Sequence, residues 1–393
     1  MDLRVNMCGM EFINPFILAS APPTARGDMI KRAFHMGWSG AVLKTIKPDE
    51  LDITDVTPRY AFTKSNKGEF MGMQNIELVT KKPVSYWIQQ IKELKEEFPE
   101  HQVIPSIMAG VEKSQWQILS RQMEKAGADA LELNFSCPHG MPEHGIGSAI
   151  GQDKDISKNI TMWVKEAVSI PVIVKLSPNV TDITHITSGV IEAEADAVAA
   201  INTVQSLIGI DLNDFTPKPD VFGYSTYGGY SGRAVKPIGL RCVAQVANYC
   251  DIPISGMGGI STWEDAVEYL LVGSSTLQIC TEVMLNGYGI IDGLQNGLKN
   301  YLTEKNLGIE EIIGKALPKL TSHESLRRDK MTAKVEGNCI RCGKCILVCQ
   351  DSADSAVFYN GSGIAEVDPK LCNGCSLCTH ICPTNAIAMG CYK

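Results

Sequence analysis

Two cysteine-rich stretches decide the fold of the carboxyl-terminal part of the chain: CIRCGKCILVC at residues 339–349 and CNGCSLCTHICP at residues 372–383. Both contain the spacing C-x2-C-x2-C-x3-C, which is typical of proteins that hold two [4Fe–4S] clusters. In that arrangement the closely spaced thiolates of one motif bind one cluster, and its last cysteine binds the other. We therefore predict one cluster on Cys339, Cys342, Cys345 and Cys382, and a second cluster on Cys349, Cys372, Cys375 and Cys378.

Other uses of these cysteines fit less well. Zinc takes four ligands at a site, commonly as two separated pairs, which does not match two runs of this spacing. A disulfide framework is typical of small secreted chains, whereas this chain has 393 residues. Gln350 stands where the motif usually has proline after its last cysteine, which leaves the ligands intact but changes the local turn.

The two motifs repeat with an offset of 33 residues. That internal repeat predicts an α+β, bacterial-type two-cluster ferredoxin domain over residues 335–393. A charged stretch at 321–334 is predicted to be the linker, which leaves residues 1–320 for a larger domain.

Composition disfavours several classes of protein. The formal net charge of −8 argues against a nucleic-acid partner, since such domains are usually basic. The sequence contains no apolar run of about 18 residues, so no membrane span is predicted. The first residues lack the cationic and apolar regions of a secretory signal. Fourteen cysteines, most of them expected on clusters, indicate a reducing compartment, so we expect a cytoplasmic protein.

Residues 1–320 alternate short apolar runs with helical patterns. The runs are rich in Val, Ile and Leu, as expected for parallel strands covered on both faces. The predicted strands are residues 15–20, 40–45, 102–108, 130–137, 171–177, 197–203, 253–259 and 276–282. The predicted helices include 83–98, 113–126, 155–168, 263–271 and 307–320, and a mobile loop is predicted at 224–232. The alternation predicts a (β/α)8 TIM barrel, with a doubly wound sheet as the alternative.

Polar side chains gather where these strands end. Lys44 and Thr45 end the second strand, Asn134 lies near the end of the fourth, Lys175 lies in the fifth, and Asn202 ends the sixth. The carboxyl ends of barrel strands form the active face of this fold. A separate structural role for every one of these groups is the less economical interpretation, so we predict a site there.

The stretch NFSCPHGM at residues 134–141 projects a thiol into the predicted mouth of the barrel. A free cysteine has a pKa near 8.5 and is mostly protonated at neutral pH. Cys137 can therefore donate a proton, as the reduction of a carbon–carbon double bond requires. A buried inert cysteine is the alternative, and a protease-type nucleophile fits less well because no oxyanion site is evident.

A flavin would join the cluster chemistry to a two-electron reduction, since clusters exchange single electrons. Barrels bind phosphate with the loops after their seventh and eighth strands, which here are GMGG at 256–259 and ICT at 279–281. Lys175 is placed to lie beside the N1–O2 edge of the ring. At about 4 Å and an effective dielectric near 20, one positive charge stabilises the anionic reduced ring by roughly 4 kcal/mol.

No nicotinamide-binding fingerprint is present in its required early βαβ context. The Gly-x-Gly pairs at 145–147 and 256–258 lie in a predicted lid and at the end of a late strand. Electrons are therefore expected from another polypeptide.

These stretches together resemble the dihydropyrimidine dehydrogenase family over nearly the whole chain, and most closely the PreA-type FMN and iron–sulfur subunit of its bacterial NAD-dependent form. The specific segments are ALELNFSCPHGM at 130–141, VKLSPNVTDI at 174–183, NTV at 202–204, YGGYSG at 227–232 and the two cysteine motifs. The resemblance implies a dihydroorotate-dehydrogenase-like barrel, FMN, two [4Fe–4S] clusters, and a PreT-like partner subunit that binds FAD and NAD(P)H.

The resemblance also implies roles for individual residues. The implied FMN contacts are Ser20, Lys44, Thr45, Lys175, Gly258, Gly259, Cys280 and Thr281. The implied contacts to uracil or thymine are Asn75, Asn134, Phe135, Ser136, Asn202 and Thr203. It implies that reduced FMN passes hydride to C6 of the pyrimidine while the thiol of Cys137 protonates C5.

Two other functions stay open on the sequence alone. A dihydroorotate dehydrogenase shares the barrel, the FMN and the asparagines, but the fused ferredoxin domain and the Cys-Pro-His-Gly segment count against it. A pure electron-transfer module, in which the barrel only docks a partner, is disfavoured by the polar groups at the strand ends.

Overall fold

The computed structural model describes residues 1–51, 53–135 and 147–391. They fold into two compact units, Met1–Lys319 and Leu320–Lys393. The strands are β1 (Val5–Met7), β2 (Met10–Phe12), β3 (Phe16–Leu18), β4 (Gly40–Ile46), β5 (Tyr60–Lys64), β6 (Phe70–Asn75), β7 (Gln102–Ile107), β8 (Leu131–Asn134), β9 (Val172–Leu176), β10 (Ala197–Ala200), β11 (Val204–Ser206), β12 (Gly228–Ser231), β13 (Ile254–Met257), β14 (Thr276–Ile279), β15 (Met331–Val335), β16 (Val357–Tyr359), β17 (Ala365–Val367) and β18 (Ile387–Cys391). The helices are α1 (Gly27–His35), α2 (Val84–Glu97), α3 (Lys113–Ala126), α4 (Ser148–Gly151), α5 (Lys154–Lys165), α6 (Ile183–Glu192), α7 (Lys236–Tyr249), α8 (Trp263–Leu271), α9 (Thr281–Asn286), α10 (Ile290–Lys305), α11 (Ile309–Ile312), α12 (Lys344–Ser352) and α13 (Leu377–Ile381).

The first unit is a closed barrel of eight parallel strands, in the order β3, β4, β7, β8, β9, β10, β13 and β14, with β14 pairing back to β3. These strands are buried along their length because helices cover the outside of the ring and side chains fill its interior. All eight predicted strands form, so the predicted TIM barrel is confirmed. The doubly wound sheet is wrong, because such a sheet has open edges.

Amphipathic helices pack around the ring. In α2, Trp87, Ile91 and Leu94 repeat at helical spacing and are fully buried. The helix predicted over 307–320 is shorter than expected: only α11 forms, and Gly314 follows it with φ of +71°. A positive φ ends a helix. The longest described helix has 16 residues, and none of the described helices is both long and apolar enough to cross a membrane.

A second sheet is inserted after the carboxyl ends of two barrel strands. The hairpin β5–β6 follows β4, the strands β11 and β12 follow β10, and the four join in the order β11, β12, β6, β5. Residues 224–232, predicted to be a mobile loop, therefore contain a strand that pairs on both edges. That pairing is with segments far apart in the sequence, which a local pattern does not reveal.

The second unit has the duplicated arrangement that the cysteine repeat predicts. Its outer pair is β15 with β18, its inner pair is β16 with β17, and each motif leads into a short helix, α12 or α13. The α+β ferredoxin fold is thereby confirmed. The second unit begins at Leu320, and its strand β15 starts at Met331, within the stretch predicted to be a linker.

Candidate functional site

A cavity opens at the carboxyl ends of the barrel strands. Its empty volume, including the mouth open to solvent, is about 1140 Å³, slightly above the range usual for cofactor and ligand sites. The predicted site residues in its wall are Ser20, Lys44, Thr45, Asn75, Asn134, Lys175, Asn202, Thr203, Gly258, Gly259, Cys280 and Thr281. The barrel therefore brings together residues separated by up to 261 positions in the sequence.

Three predicted residues are not seen in this wall. Phe135 is buried, and its ring contacts Trp116 edge-on at 5.8 Å between centroids, which places it in the layer beneath helix α3. Ser136 and Cys137 lie outside the described residues, as does the rest of the segment up to residue 146.

Two lysines place positive charge inside the mouth, and each is next to a carboxylate. Lys44 is 8% exposed and its Nζ donates to Glu77 Oε2 at 2.9 Å. Burial, reinforced by the Glu77 carboxylate, raises the pKa of the cavity-lining Tyr60 above its usual range, so this hydroxyl stays protonated.

Lys175 belongs to a deeper network across the barrel interior. Its Nζ lies 3.4 Å from Glu132 Oε1, and Gln278 Nε2 donates to Glu132 Oε2 at 2.7 Å. Glu132 is fully buried, Lys175 is 5% exposed and Gln278 is 2% exposed. A buried carboxylate needs such partners, since an isolated charge there would be strongly destabilising.

Hydroxyl and amide groups form a second network around the mouth. Thr45 Oγ1 accepts from Asn134 Nδ2 at 3.0 Å and is hydrogen-bonded to the hydroxyls of Ser20 and Ser106. On the opposite wall Thr203 N donates to Asn202 Oδ1 at 2.8 Å. These bonds fix the orientation of the carboxamides, which can present a donor and an acceptor to a ligand.

Three glycines form a backbone cradle at one end of the cavity. Gly232, Gly258 and Gly259 have φ of +98°, +124° and +75°. A Cβ on Gly259 would lie 2.8 Å from the carbonyl oxygen of Gly232 and 2.9 Å from the amide nitrogen of Lys236, so no side chain fits there. Glycine has no side chain and readily adopts a positive φ, so the backbone amides at these positions can approach a phosphate group closely.

These residues fit a bound FMN. The cradle accommodates a phosphate, the lysines suit a ring that gains negative charge, and two buried polar atoms of the wall lack a partner among the described residues. The atoms are Thr203 Oγ1 and Gln278 Oε1. Unpaired buried groups are costly unless a ligand or water completes them.

Cys280 contributes a second thiol to the wall. Burial raises the pKa of Cys280 to about 11, and the positive charges of Lys175 and Lys44 oppose that effect. The thiol is therefore neutral at physiological pH, and its Sγ contacts Met284 Sδ at 3.6 Å.

The wall also contains groups that the sequence interpretation missed: Tyr60, Glu77, Gln278 and, beneath them, Glu132. A signal for two of them was present, because alternate residues of a barrel strand face inward. Glu132 precedes Asn134 by two positions, and Gln278 precedes Cys280 by two. Tyr60 and Glu77 carried no such signal, since Tyr60 begins the inserted hairpin and Glu77 lies just after it.

The second unit gathers its eight motif cysteines around two small cavities. One, of about 370 Å³, is lined by Cys339, Cys342, Cys345 and Cys382. The other, of about 320 Å³, is lined by Cys349, Cys372, Cys375 and Cys378. Each set combines three cysteines of one motif with the last of the other, which is the grouping that the spacing predicts.

The thiols of these sets suit clusters better than a single ion. Within the described part of the chain, no group of three or more His, Cys, Asp or Glu side chains is close enough to hold one metal ion. Burial and the neighbouring Cys349, Cys372 and Cys375 raise the pKa of Cys378 to about 11. Four thiolates at such a place need the positive charge of a bound cluster.

Comparison with protein families assigns both units. Residues 2–302 match the family described as "Dihydroorotate dehydrogenase", and residues 333–389 match the "4Fe-4S dicluster domain".

Individual relatives cover different shares of this chain. The chain is 37% identical to the NAD-dependent dihydropyrimidine dehydrogenase subunit PreA of Escherichia coli, over 99% of this chain and 95% of the relative. It is 40% identical to the chloroplastic dihydropyrimidine dehydrogenase (NADP(+)) of Arabidopsis thaliana, over 83% of this chain and 79% of the relative. The catalytic subunit of dihydroorotate dehydrogenase B (NAD(+)) of Pyrococcus furiosus is 37% identical over 80% of this chain and 99% of the relative.

The glycine cradle generates a first prediction. Gly259→Ala should weaken FMN binding at least tenfold, because the added methyl group displaces the Gly232 carbonyl and strains a positive φ. FMN affinity of apoprotein measured by flavin fluorescence tests this. Gly287→Ala is the matched control, since Gly287 has a similar φ of +78° but nothing within 4 Å of its Cβ. Equal affinities for the two variants would contradict the cradle.

The cysteine grouping generates a second prediction. Cys349→Ala should lower iron and acid-labile sulfide per chain by about half, because each set of four is predicted to hold one of two clusters. The exposed Cys391, which belongs to neither set, supplies the control Cys391→Ala, with unchanged metal content. Full iron content in Cys349→Ala would rule out the assignment of this ligand.

Proposed function

We propose, since the chain belongs to the dihydropyrimidine dehydrogenase family of oxidoreductases, that it reduces the 5,6 double bond of uracil or thymine to the dihydropyrimidine. The observation that supports this most directly is the presence, in one chain, of a barrel-mouth cavity and two four-cysteine cavities. The barrel alone is shared with dihydroorotate dehydrogenases, whereas the match to the bacterial dihydropyrimidine dehydrogenase subunit extends over both units.

FMN, when bound in the barrel mouth, supplies hydride to C6 of the pyrimidine. The glycine backbone at Gly258 and Gly259, with the hydroxyl of Thr281, would hold its phosphate. Lys175 would lie at the N1–O2 edge of the ring, where a fixed ammonium favours the reduced state. Ser20, Lys44, Thr45 and Cys280 complete the proposed contacts.

The carboxamides of the mouth would recognise the pyrimidine. Uracil presents alternating N–H and C=O groups, and Asn75, Asn134 and Asn202 can match them with paired donors and acceptors. Their orientation is fixed by bonds to Gly229, Thr45 and Thr203. The hydroxyl of Thr203 and, in the proposal, Ser136 would add further contacts, and the Glu77 carboxylate offers an acceptor for a ring N–H.

Cys137 would donate the proton to C5 as hydride reaches C6. It follows Asn134 by three positions, directly beyond strand β8, whose end lies in the cavity wall. A neutral thiol donates its proton in the transition state and is left as thiolate, which must regain a proton before the next turnover.

Electrons would reach the barrel through two [4Fe–4S] clusters in the second unit. The relative in Escherichia coli is named as a subunit, and we propose that this chain likewise works with a PreT-like partner that binds FAD and oxidises NAD(P)H. In such a partner NAD(P)H would transfer a hydride to FAD and leave as NAD(P)+, and the clusters would pass the two electrons on singly.

A dihydroorotate dehydrogenase activity is the second candidate, because the barrel matches that family and a Pyrococcus catalytic subunit over nearly its full length. The two functions differ in substrate: orotate carries a carboxylate, whereas uracil and thymine are neutral.

The test of the proposed function uses the pyrimidine as oxidant. Protein reduced anaerobically should be reoxidised by uracil or thymine within a few turnover times, with no comparable effect of orotate, which carries a carboxylate that the proposed substrates lack. Flavin absorbance in a stopped-flow instrument reports this. Reoxidation by orotate alone would favour the second candidate, and no reoxidation by any pyrimidine would contradict both.

The proton donor provides a separate prediction. Cys137→Ala should retain FMN and both clusters but lose turnover by about 10²- to 10⁴-fold, the usual contribution of a general acid. Cys250→Ala serves as the control, because Cys250 follows helix α7 directly, is not part of the cavity wall, and its thiol donates to Val246 O. Normal turnover by Cys137→Ala would refute the acid role.

A further inference from the structure

The buried Glu132 is a group that the proposed chemistry does not use. It lies in the middle of strand β8, has no exposed surface, and is the only carboxylate within ion-pair distance of Lys175 among the described residues. An apolar residue at this inward-facing position of a barrel strand would avoid the cost of burying a charge. The presence of a buried glutamate, Glu132, beneath the cavity therefore indicates a role in that site.

The two carboxylate oxygens of Glu132 have different contacts. Oε2 accepts a short hydrogen bond, 2.7 Å, from Gln278 Nε2. Oε1 faces Lys175 Nζ at 3.4 Å and accepts no hydrogen bond from any described residue. The pair is thus looser than that of Lys44 and Glu77, whose atoms are 2.9 Å apart.

This arrangement leaves the ammonium of Lys175 shared between the carboxylate below and the cavity above. Lys175 lines the cavity, and three N–H donors radiate from its Nζ. Gln278 comes from strand β14, on another side of the ring, so that its bond holds the carboxylate in place within the barrel interior.

We propose that Glu132, clamped by Gln278, is a positioning residue that holds Lys175 at the cavity wall and partly neutralises its charge there, so that it lowers the reduction potential of the flavin bound above. The inference rests on the proposed function, in that it requires FMN in the barrel mouth. A ring that gains negative charge on reduction is favoured by a nearby cation, and a carboxylate behind that cation reduces the effect.

The experiment measures the midpoint potential of the bound flavin by anaerobic spectroelectrochemistry in the whole protein. Glu132→Gln keeps the shape and the bond to Gln278 but removes the charge, and it should shift the flavin potential in the positive direction. Lys175→Met should shift it in the negative direction. Thr276→Val is the matched control, because Thr276 is also fully buried, lies two residues before Gln278 on the same strand and bonds to Ser255 rather than to the site.

A further variant separates action through Lys175 from a direct effect of the Glu132 charge. In a Lys175→Met background the cation through which the carboxylate is proposed to act is absent. Adding Glu132→Gln should then leave the potential unchanged. A shift that persists in this background would contradict the positioning role.

The outcomes distinguish this inference from the proposed function. Wild-type protein that binds no FMN overturns both. Wild-type protein with flavin, and a Glu132→Gln variant whose potential is unchanged or more negative, overturns the inference alone. Should Glu132→Gln fail to fold, Glu132→Asp answers the question, since it keeps the charge but draws it away from Lys175: a smaller positive shift supports the inference, and no shift contradicts it.

Discussion

Closure of the barrel is the constraint on which the rest of the molecule depends. Hydrogen bonds between β14 and β3 join the last strand to the first, and parallel pairing points every strand the same way. The carboxyl ends of the strands consequently meet around one mouth. Residues as distant as Ser20 and Thr281 thereby share a single wall.

The interior of this ring carries charge as well as apolar side chains. A barrel layer is usually filled by branched apolar residues, but here it contains Glu132, Lys175 and Gln278. The free-energy cost of burying two opposite charges is offset by their pairing and by the hydrogen bond from Gln278. The Lys44–Glu77 pair lies nearer the opening. The charged side chains next to the cavity are therefore almost fully buried, and electrostatic effects on a bound ring are stronger there than in water.

Much of this was predictable from local sequence, and the exceptions have a common cause. The strands, the grouping of the cysteines and the polar strand ends follow from periodicity and spacing. The inserted sheet, the early end of helix α11 near Gly314 and the approach of Tyr60 and Glu77 to the cavity depend on pairing between distant segments or on one backbone angle. Phe135 illustrates the same limit: its neighbour Asn134 faces the cavity, whereas its own ring packs against Trp116 because successive strand residues face opposite sides.

In the proposed function, one chain combines a two-electron carrier in the barrel with two one-electron carriers in the second unit. An anaerobic reductive titration of the purified protein, followed by absorbance and by electron paramagnetic resonance, counts these carriers directly. The account predicts uptake of about four electrons per chain, two at the flavin and one at each cluster. Uptake of about two electrons, with either no flavin absorbance or no iron–sulfur signal, would contradict it.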